Sequence, residues 1–101
     1  MSTPVIIALG ANLDDRLQAL RRAVQLIRPV LNNVKGSSVY TSEPMYETDQ
    51  PDFVNAVIVG TTTLGPVELF FALKSVEQAM GRQVRARNGP REIDLDLIAY
   101  G

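Results

Sequence analysis

The stretch FVNAVIVGTTT, from Phe53 to Thr63, gives the strongest strand signal in this chain of 101 residues. Its β-branched and small apolar side chains are typical of a strand in a packed sheet. Asn55 interrupts the apolar run. A polar amide at that point needs hydrogen-bond partners, which either nearby backbone or the polar edge of a bound heterocycle can supply. The stretch therefore predicts a strand and makes Asn55 a candidate binding residue.

The residues after this strand predict a helix and then another strand. Gly65-Pro66 puts proline where a first helical turn tolerates it. Apolar residues then recur at helical steps until Gly81, which suits a helix end; they are Leu69, Leu73, Val76 and Met80. A polar loop follows from Arg82 to Arg91, and the residues from Glu92 to Tyr100 predict the last strand.

The residues before Phe53 predict two strands and one helix. Pro4 to Leu9 is a short β-branched run stopped by Gly10, typical of a buried strand. Asn12 to Asp15 offers helix caps, and Pro29 should end or bend the helix. The apolar stripe of that helix is Leu13, Leu17, Leu20, Val24, Ile27 and Leu31. Val34 to Thr41 predicts the second strand, and Ser42 to Asp52 predicts a loop.

The predicted order is β-α-β-β-α-β, which indicates an α+β fold. We expect a ferredoxin-like sandwich in residues 1–101, a single domain with a four-stranded antiparallel sheet and both helices on one face. The opposite face would then lack a helical cover. A ligand could bind there, or a second copy could cover it in a homodimer.

Composition narrows the possible functions. Ten basic and eleven acidic residues give a net charge of -1, so we expect no nucleic-acid partner. Cysteine and histidine are both absent, so any bound metal should be a hard ion with oxygen ligands, magnesium by default. The start MSTPVIIALG resembles no signal peptide, and no apolar run approaches the roughly 20 residues that span a bilayer. These features predict a cytoplasmic protein without a membrane partner.

Two acids, Asp94 and Asp96, stand two residues apart in the otherwise apolar last strand. Side chains alternate along a strand, so both acids should point from the open face, with Cβ atoms about 7 Å apart. The other face would carry Ile93, Leu95, Leu97 and Ala99. The acids could converge on a divalent cation. Alternatively, they form a solvated polar face or discourage association between sheets.

The loop before this strand is rich in arginine. Arg82, Arg85, Arg87 and Arg91 lie within ten residues that hold no acid. Guanidinium groups bind phosphate oxygens in pairs of hydrogen bonds, although a mobile basic loop is the simpler interpretation. Acids for a metal and arginines for phosphate together favour phosphoryl transfer. Glu77, beside the apolar stripe of the second helix, is either a nucleotide contact or a surface glutamate.

Three blocks of the sequence resemble one enzyme family. They are ALGANLDDR from Ala8, DQPDFVNAV from Asp49 and GPREIDLDLIAYG from Gly89. In this order and spacing, they resemble 6-hydroxymethyl-7,8-dihydropterin pyrophosphokinase of folate biosynthesis. The resemblance implies the ferredoxin-like core and a kinase that uses two magnesium ions. Such an enzyme transfers the β,γ-diphosphate of its co-substrate ATP to the hydroxymethyl oxygen of the pterin.

The resemblance also implies roles for individual residues. Asp94 and Asp96 would bridge both magnesium ions, Asn55 would read the pterin ring and Phe53 would stack on it. Ser42, Pro44 and Met45 would line the pterin pocket. Arg82, Arg85 and Arg91 would contact phosphates, and Glu77 would contact the nucleotide. Gly10 to Arg16 would form a structural turn into the first helix.

The chain departs from the family pattern at several points. Asn88 occupies the place of a tryptophan, Met45-Tyr46 replaces an apolar-glycine pair, and either Arg85 or Arg87 replaces a displaced arginine. Family members also continue for several dozen residues beyond the equivalent of Gly101. We therefore expect a short form with weak turnover unless another chain completes the site. The alternatives are a non-catalytic paralogue that binds pterin or nucleotide, an interaction module, and an inert fragment.

Overall fold

The computed structural model describes residues 1–12, 15–37, 39–42, 52–81 and 93–101. Within these ranges the chain forms strands, two α-helices and one short 3-10 turn. The elements are β1 (Thr3–Ala11), α1 (Arg16–Ile27), the 3-10 turn (Arg28–Val30), β2 (Asn32–Gly36), β3 (Tyr40–Ser42), β4 (Phe53–Thr62), α2 (Pro66–Ala79) and β5 (Asp94–Tyr100).

The described strands form one five-stranded sheet in which every pairing is antiparallel. The order is β2-β4-β1-β5, and β3 also pairs with β4. The predicted α+β class is confirmed; the described ranges hold five strands where the sequence predicts four, because the second predicted strand is divided. Ser37 lies at the break, where its Oγ accepts the Val57 N–H at 2.8 Å in place of a backbone carbonyl.

The register changes across this break. Gly36 of β2 pairs with Ile58, whereas Tyr40 of β3 pairs with Asn55. An advance of four residues from β2 to β3 therefore corresponds to three residues along β4. One extra residue in one strand of a pair is the mark of a bulge. The predicted strand from Val34 to Thr41 therefore corresponds to two strands, β2 and β3, which pair with β4 in different registers.

Both helices begin at side-chain caps. Asp15 Oδ1 accepts the Gln18 N–H at 3.2 Å, and Glu68 Oε1 accepts the Gly65 N–H at 3.0 Å. These bonds satisfy N–H groups that the first helical turn leaves without an intrahelical partner. The α1 helix ends at Ile27, and Pro29 lies in the following 3-10 turn, as the sequence predicts. Neither helix in the described ranges is long and apolar enough to cross a membrane.

The two helices cover one face of the sheet. The α1 helix contacts β1, β4 and α2, and α2 also contacts β5. Their buried side chains join those of alternate strand positions in one apolar cluster. Its fully buried members include Ile7, Ala23, Ile27, Leu69, Leu73, Ile93 and Leu95. Leu17, which the sequence places in the apolar stripe, is instead 40% exposed.

The other sheet face carries side chains that are mostly half-buried or exposed, such as Ile6, Asn55 and Asp96. A bulge changes this alternation near the end of β5, because Ile7 pairs with Leu97 but Ile6 pairs with Ala99. Directly opposed residues of an antiparallel pair share a face. Ala99 therefore joins Ile6 on the open face, which corrects the predicted grouping of Ala99 with Leu95. Tyr100 turns to the helix side, where its hydroxyl donates to the Leu64 carbonyl at 2.7 Å.

Two isoleucines test this division of the sheet. Ile7 is fully buried, whereas Ile98 is 60% exposed. We expect Ile7→Ala to lower the free energy of unfolding by about 2–5 kcal/mol, because it leaves a cavity in the core. Ile98→Ala removes the same atoms from the surface and should cost less than about 0.5 kcal/mol. Urea denaturation measures both; similar losses would contradict the assignment of the two faces.

Candidate active site

A pocket of about 260 Å³ opens on the sheet face that the helices do not cover. Four strands contribute to it, so side chains from distant parts of the sequence meet there. The lining residues are Ala8, Leu9 and Gly10 of β1, Tyr40 and Ser42 of β3, Phe53 and Asn55 of β4, and Asp94 and Asp96 of β5. The structure thus brings together five of the residues that the sequence nominates.

The register of β1 produces this arrangement. Gly10 pairs with Asn55 on one side and with Asp94 on the other, and Ala8 pairs with Asp96. Opposed residues share a face, so Asn55 and Asp94 flank Gly10 on the same side of the sheet. Their Cα atoms are separated by two strand spacings, roughly 10 Å. The prediction that Asp94 and Asp96 share the open face is confirmed.

A hydrogen bond fixes the direction of the Asn55 amide. Asn55 Nδ2 donates to Ser42 Oγ at 2.8 Å, across the β3-β4 pair. The partner is thus a side-chain hydroxyl rather than the backbone that the simpler interpretation of Asn55 invoked. Phe53 pairs with Ser42 in the same ladder and is half-buried. The amide and the aromatic ring therefore line one end of the pocket, and the two carboxylates line the other.

Gly10 forms the floor of the pocket, a role that the sequence interpretation missed. The expectation of a turn from Gly10 is wrong at its start, because β1 continues through Gly10 to Ala11 and α1 begins only at Arg16. A Cβ at residue 10 would lie 3.0 Å from Asn55 Oδ1 and 3.7 Å from Phe53 Cδ1. Glycine inside a strand pattern often marks such a close approach, which is the signal that could have identified it.

A second contact joins two of the sequence blocks. Arg16 Nη1 donates to the carbonyl of Asp52 at 2.6 Å. Asp52 immediately precedes Phe53, so the start of α1 holds the start of β4. Tyr40 is a further pocket residue that the sequence did not nominate; it pairs with Asn55 and is 53% exposed.

Glu77 lies on the helix side of the sheet, away from the pocket lining. It is 2% exposed, so the alternative of a surface glutamate is wrong. Its Oε2 accepts the Leu95 N–H at 2.8 Å, and its Oε1 lies 3.2 Å from Lys74 Nζ. Both oxygens contact this chain itself, and the predicted nucleotide contact stays a prediction.

The remaining nominated residues lie outside the described ranges. Pro44 and Met45 belong to residues 43–51, and the arginine-rich loop belongs to residues 82–92. The predictions for Arg82, Arg85 and Arg91 are therefore not tested by the structure.

The donor set of the pocket suits a hard cation. Asp94 and Asp96 contribute carboxylate oxygens from neighbouring positions on one face. Magnesium is commonly bound by one or two carboxylates together with water and substrate phosphate. Among the described residues, no group of three or more histidine, cysteine, aspartate or glutamate side chains could hold a metal. The pair on β5 fits magnesium that completes its coordination with water and a polyphosphate.

Residues 6–101 match the sequence model of the 7,8-dihydro-6-hydroxymethylpterin-pyrophosphokinase (HPPK) family. The chain belongs to this family. It is 46% identical over 98 residues to the mitochondrial folate synthesis bifunctional protein of Pisum sativum. It is 41% identical over 97 residues to the 2-amino-4-hydroxy-6-hydroxymethyldihydropteridine pyrophosphokinase of Haemophilus influenzae. The enzyme of that name from Aquifex aeolicus is 38% identical to it over 96 residues.

These matches cover most of this chain but only part of each relative. They include 96% of this chain and 19% of the pea protein. For the Haemophilus and Aquifex proteins they include 94% and 95% of this chain but 61% and 60% of the relative. The chain therefore spans less than two thirds of the length of the curated relatives that it matches.

Two glycines test the crowding at the pocket floor. In Gly10→Ala the new Cβ must displace the Asn55 amide, so we expect the Asn55 side-chain NMR signals to shift and the free energy of unfolding to fall by about 1–3 kcal/mol. Gly36→Ala is the matched control, because its Cβ would meet only Ile58 Cγ2, at 3.9 Å. Unchanged Asn55 side-chain NMR signals in Gly10→Ala would show that a Cβ at residue 10 fits without displacing the Asn55 amide.

Proposed function

We propose that this chain carries out magnesium-dependent transfer of diphosphate from ATP to 6-hydroxymethyl-7,8-dihydropterin. The observation that supports the proposal best is that one pocket holds both a carboxylate pair and an amide beside an aromatic ring. Phosphoryl transfer requires positioning and charge neutralisation more than a protein nucleophile. Family membership and the names of the bacterial relatives favour the same reaction.

The end of the pocket near β3 would bind the pterin. Asn55 is held by Ser42, so its amide is directed before a ligand arrives. An amide can both donate to and accept from the polar edge of a pterin ring. Phe53 would stack on the ring, and the absence of a Cβ on Gly10 would let the ring lie close to the sheet. Pro44 and Met45 would complete this wall.

The other end of the pocket would hold magnesium. Asp94 and Asp96 would supply carboxylate oxygens to two ions that also meet the polyphosphate, and the bound ions would neutralise the charge that develops there. Arg82 and Arg91, with Arg85, would contact the phosphates, and Glu77 is the further residue nominated for the nucleotide. The pterin hydroxyl oxygen would form a bond to the β-phosphorus, the bond to the α,β-bridging oxygen would break, and AMP would leave. The hydroxyl proton would pass to solvent.

Three further proposals concern the whole protein. We interpret the fold as ferredoxin-like, with β2 and β3 counted as one interrupted strand. A homodimer could cover the part of the open sheet face outside the pocket, where Ile6 and Val59 are exposed. We retain a cytoplasmic location as a proposal, although the pea relative is named as mitochondrial.

Pterin-dependent release of AMP tests the proposed reaction. We expect Asp94→Asn and Asp96→Asn each to lower the rate of AMP release by at least about 100-fold, because each replaces a charged carboxylate of the magnesium site by a neutral amide. Glu68→Gln is the matched control: it also neutralises one acid but lies in the first turn of α2. All three variants should keep a free energy of unfolding close to that of the unaltered chain.

Calorimetry with magnesium, a non-hydrolysable ATP analogue and the pterin separates the alternatives. Binding of both ligands without AMP release at high protein concentration would favour a non-catalytic binding module. Binding of neither ligand would reject both the kinase and the module. Loss of folding in Asp94→Asn or Asp96→Asn would instead indicate that the acids have a structural role.

A further inference from the structure

Glu77 is a buried acid that faces the apolar core. The buried residues of α2 are Leu69, Leu73 and Glu77, and the Glu77 side chain is only 3% exposed. Burial of a carboxylate is costly unless hydrogen bonds and an opposite charge compensate for it. The position of Glu77 on the helix therefore requires partners strong enough to offset this cost.

The two oxygens of Glu77 have different partners. Lys74 Nζ lies 3.2 Å from Oε1 and is one helical turn away, at the margin of the core. The Leu95 N–H donates to Oε2 at 2.8 Å, from the strand that faces α2. A hydrogen bond from a backbone N–H to an ionised carboxylate is stronger than one between neutral groups. Glu77 therefore ties α2 to β5 at one defined residue.

That residue stands between the two acids of the proposed metal site. Among the described strands β5 lies at the edge of the sheet, beside β1. A strand's N–H groups point alternately to its two sides, so an N–H that bonds Glu77 points away from β1. The N–H groups of Asp94 and Asp96 consequently point toward β1. One carboxylate thus holds the outer side of β5 while β1 holds the inner side.

We infer that Glu77 is a positioning residue for the divalent-cation site: through the Leu95 N–H it holds Asp94 and Asp96 in register with Gly10 and Ala8. This inference rests on the proposed function of the two aspartates. A shift of an edge strand changes the separation and direction of its side chains, and a site of few ligands depends strongly on both. In this role Glu77 acts from the helix side and has no need to touch the nucleotide.

Two conservative variants separate the effect of side-chain length at residue 77 from the effect of its charge. Glu77→Gln keeps an oxygen at the same distance but removes the charge, whereas Glu77→Asp keeps the charge but is one methylene shorter. We expect Glu77→Asp to speed amide hydrogen exchange at Leu95 by about 10- to 100-fold, measured by NMR without metal. Glu77→Gln should change that rate by less than Glu77→Asp does, because its amide oxygen still accepts the bond, although without the charge.

The same variants are then titrated with Mn²⁺ in the presence of a non-hydrolysable ATP analogue. We expect Glu77→Asp to weaken Mn²⁺ binding about tenfold and Glu77→Gln to weaken it less than about threefold. Leu73→Val is the stability control, since Leu73 shares the buried face of α2 with Glu77 but has an apolar side chain. It should leave Mn²⁺ binding unchanged even where it lowers the free energy of unfolding.

The outcomes distinguish the possible roles of Glu77. Strong loss of Mn²⁺ binding in Glu77→Gln, with little loss in Glu77→Asp, would overturn positioning in favour of a direct charge effect. Equal losses in Glu77→Asp and Leu73→Val would reduce Glu77 to a packing residue and also overturn it. A wild-type chain that binds no divalent cation would overturn the proposed metal site itself. Wild-type binding with no difference among the variants would overturn only the role of Glu77.

Discussion

The register of β1 between its two neighbours is the constraint on which the site depends. Gly10 lies opposite Asn55 in β4 and opposite Asp94 in β5. The Asn55 amide and the Asp94 carboxylate therefore lie on either side of a residue without a side chain. A slip by one residue in either pairing would turn the amide or the acids to the other face of the sheet. The chemistry of the pocket is therefore tied to the pairing of strands that are far apart in sequence.

The two faces of the sheet carry different sets of side chains. On the helix side, apolar side chains from alternate positions form the core, while Glu77 bonds the Leu95 N–H and Tyr100 bonds the Leu64 carbonyl. On the open side, the same strands present the pocket. Because the side-chain period of a strand is two, core residues such as Leu95 separate the site residues along the chain and anchor them. The core thus sets the positions of groups that it does not contact directly.

Local patterns made much of this structure predictable. Apolar periodicity identified both helices and the strands, and strict alternation assigned Asp94 and Asp96 to the open face. The features that were missed depend on pairing between strands: the break at Ser37, the bulge that turns Ala99 outward, and the place of Gly10 beneath Asn55. The burial of Glu77 depends on the Leu95 N–H, which the spacing of α2 alone does not reveal. The arginine-rich loop lies outside the described residues, so the roles of Arg82, Arg85 and Arg91 remain predictions.

The proposed site requires Asp94 and Asp96 to hold a divalent cation beside Asn55 and Phe53. Paramagnetic broadening by Mn²⁺ tests it most directly, because the effect falls steeply with distance from the ion. In a solution that also contains an ATP analogue and the pterin, we predict loss of the NMR signals of Gly10, Asp94 and Asp96, with those of Ala23 and Leu69 on the helix side retained. Uniform weak broadening, or broadening centred on another surface, would rule out a cation at Asp94 and Asp96.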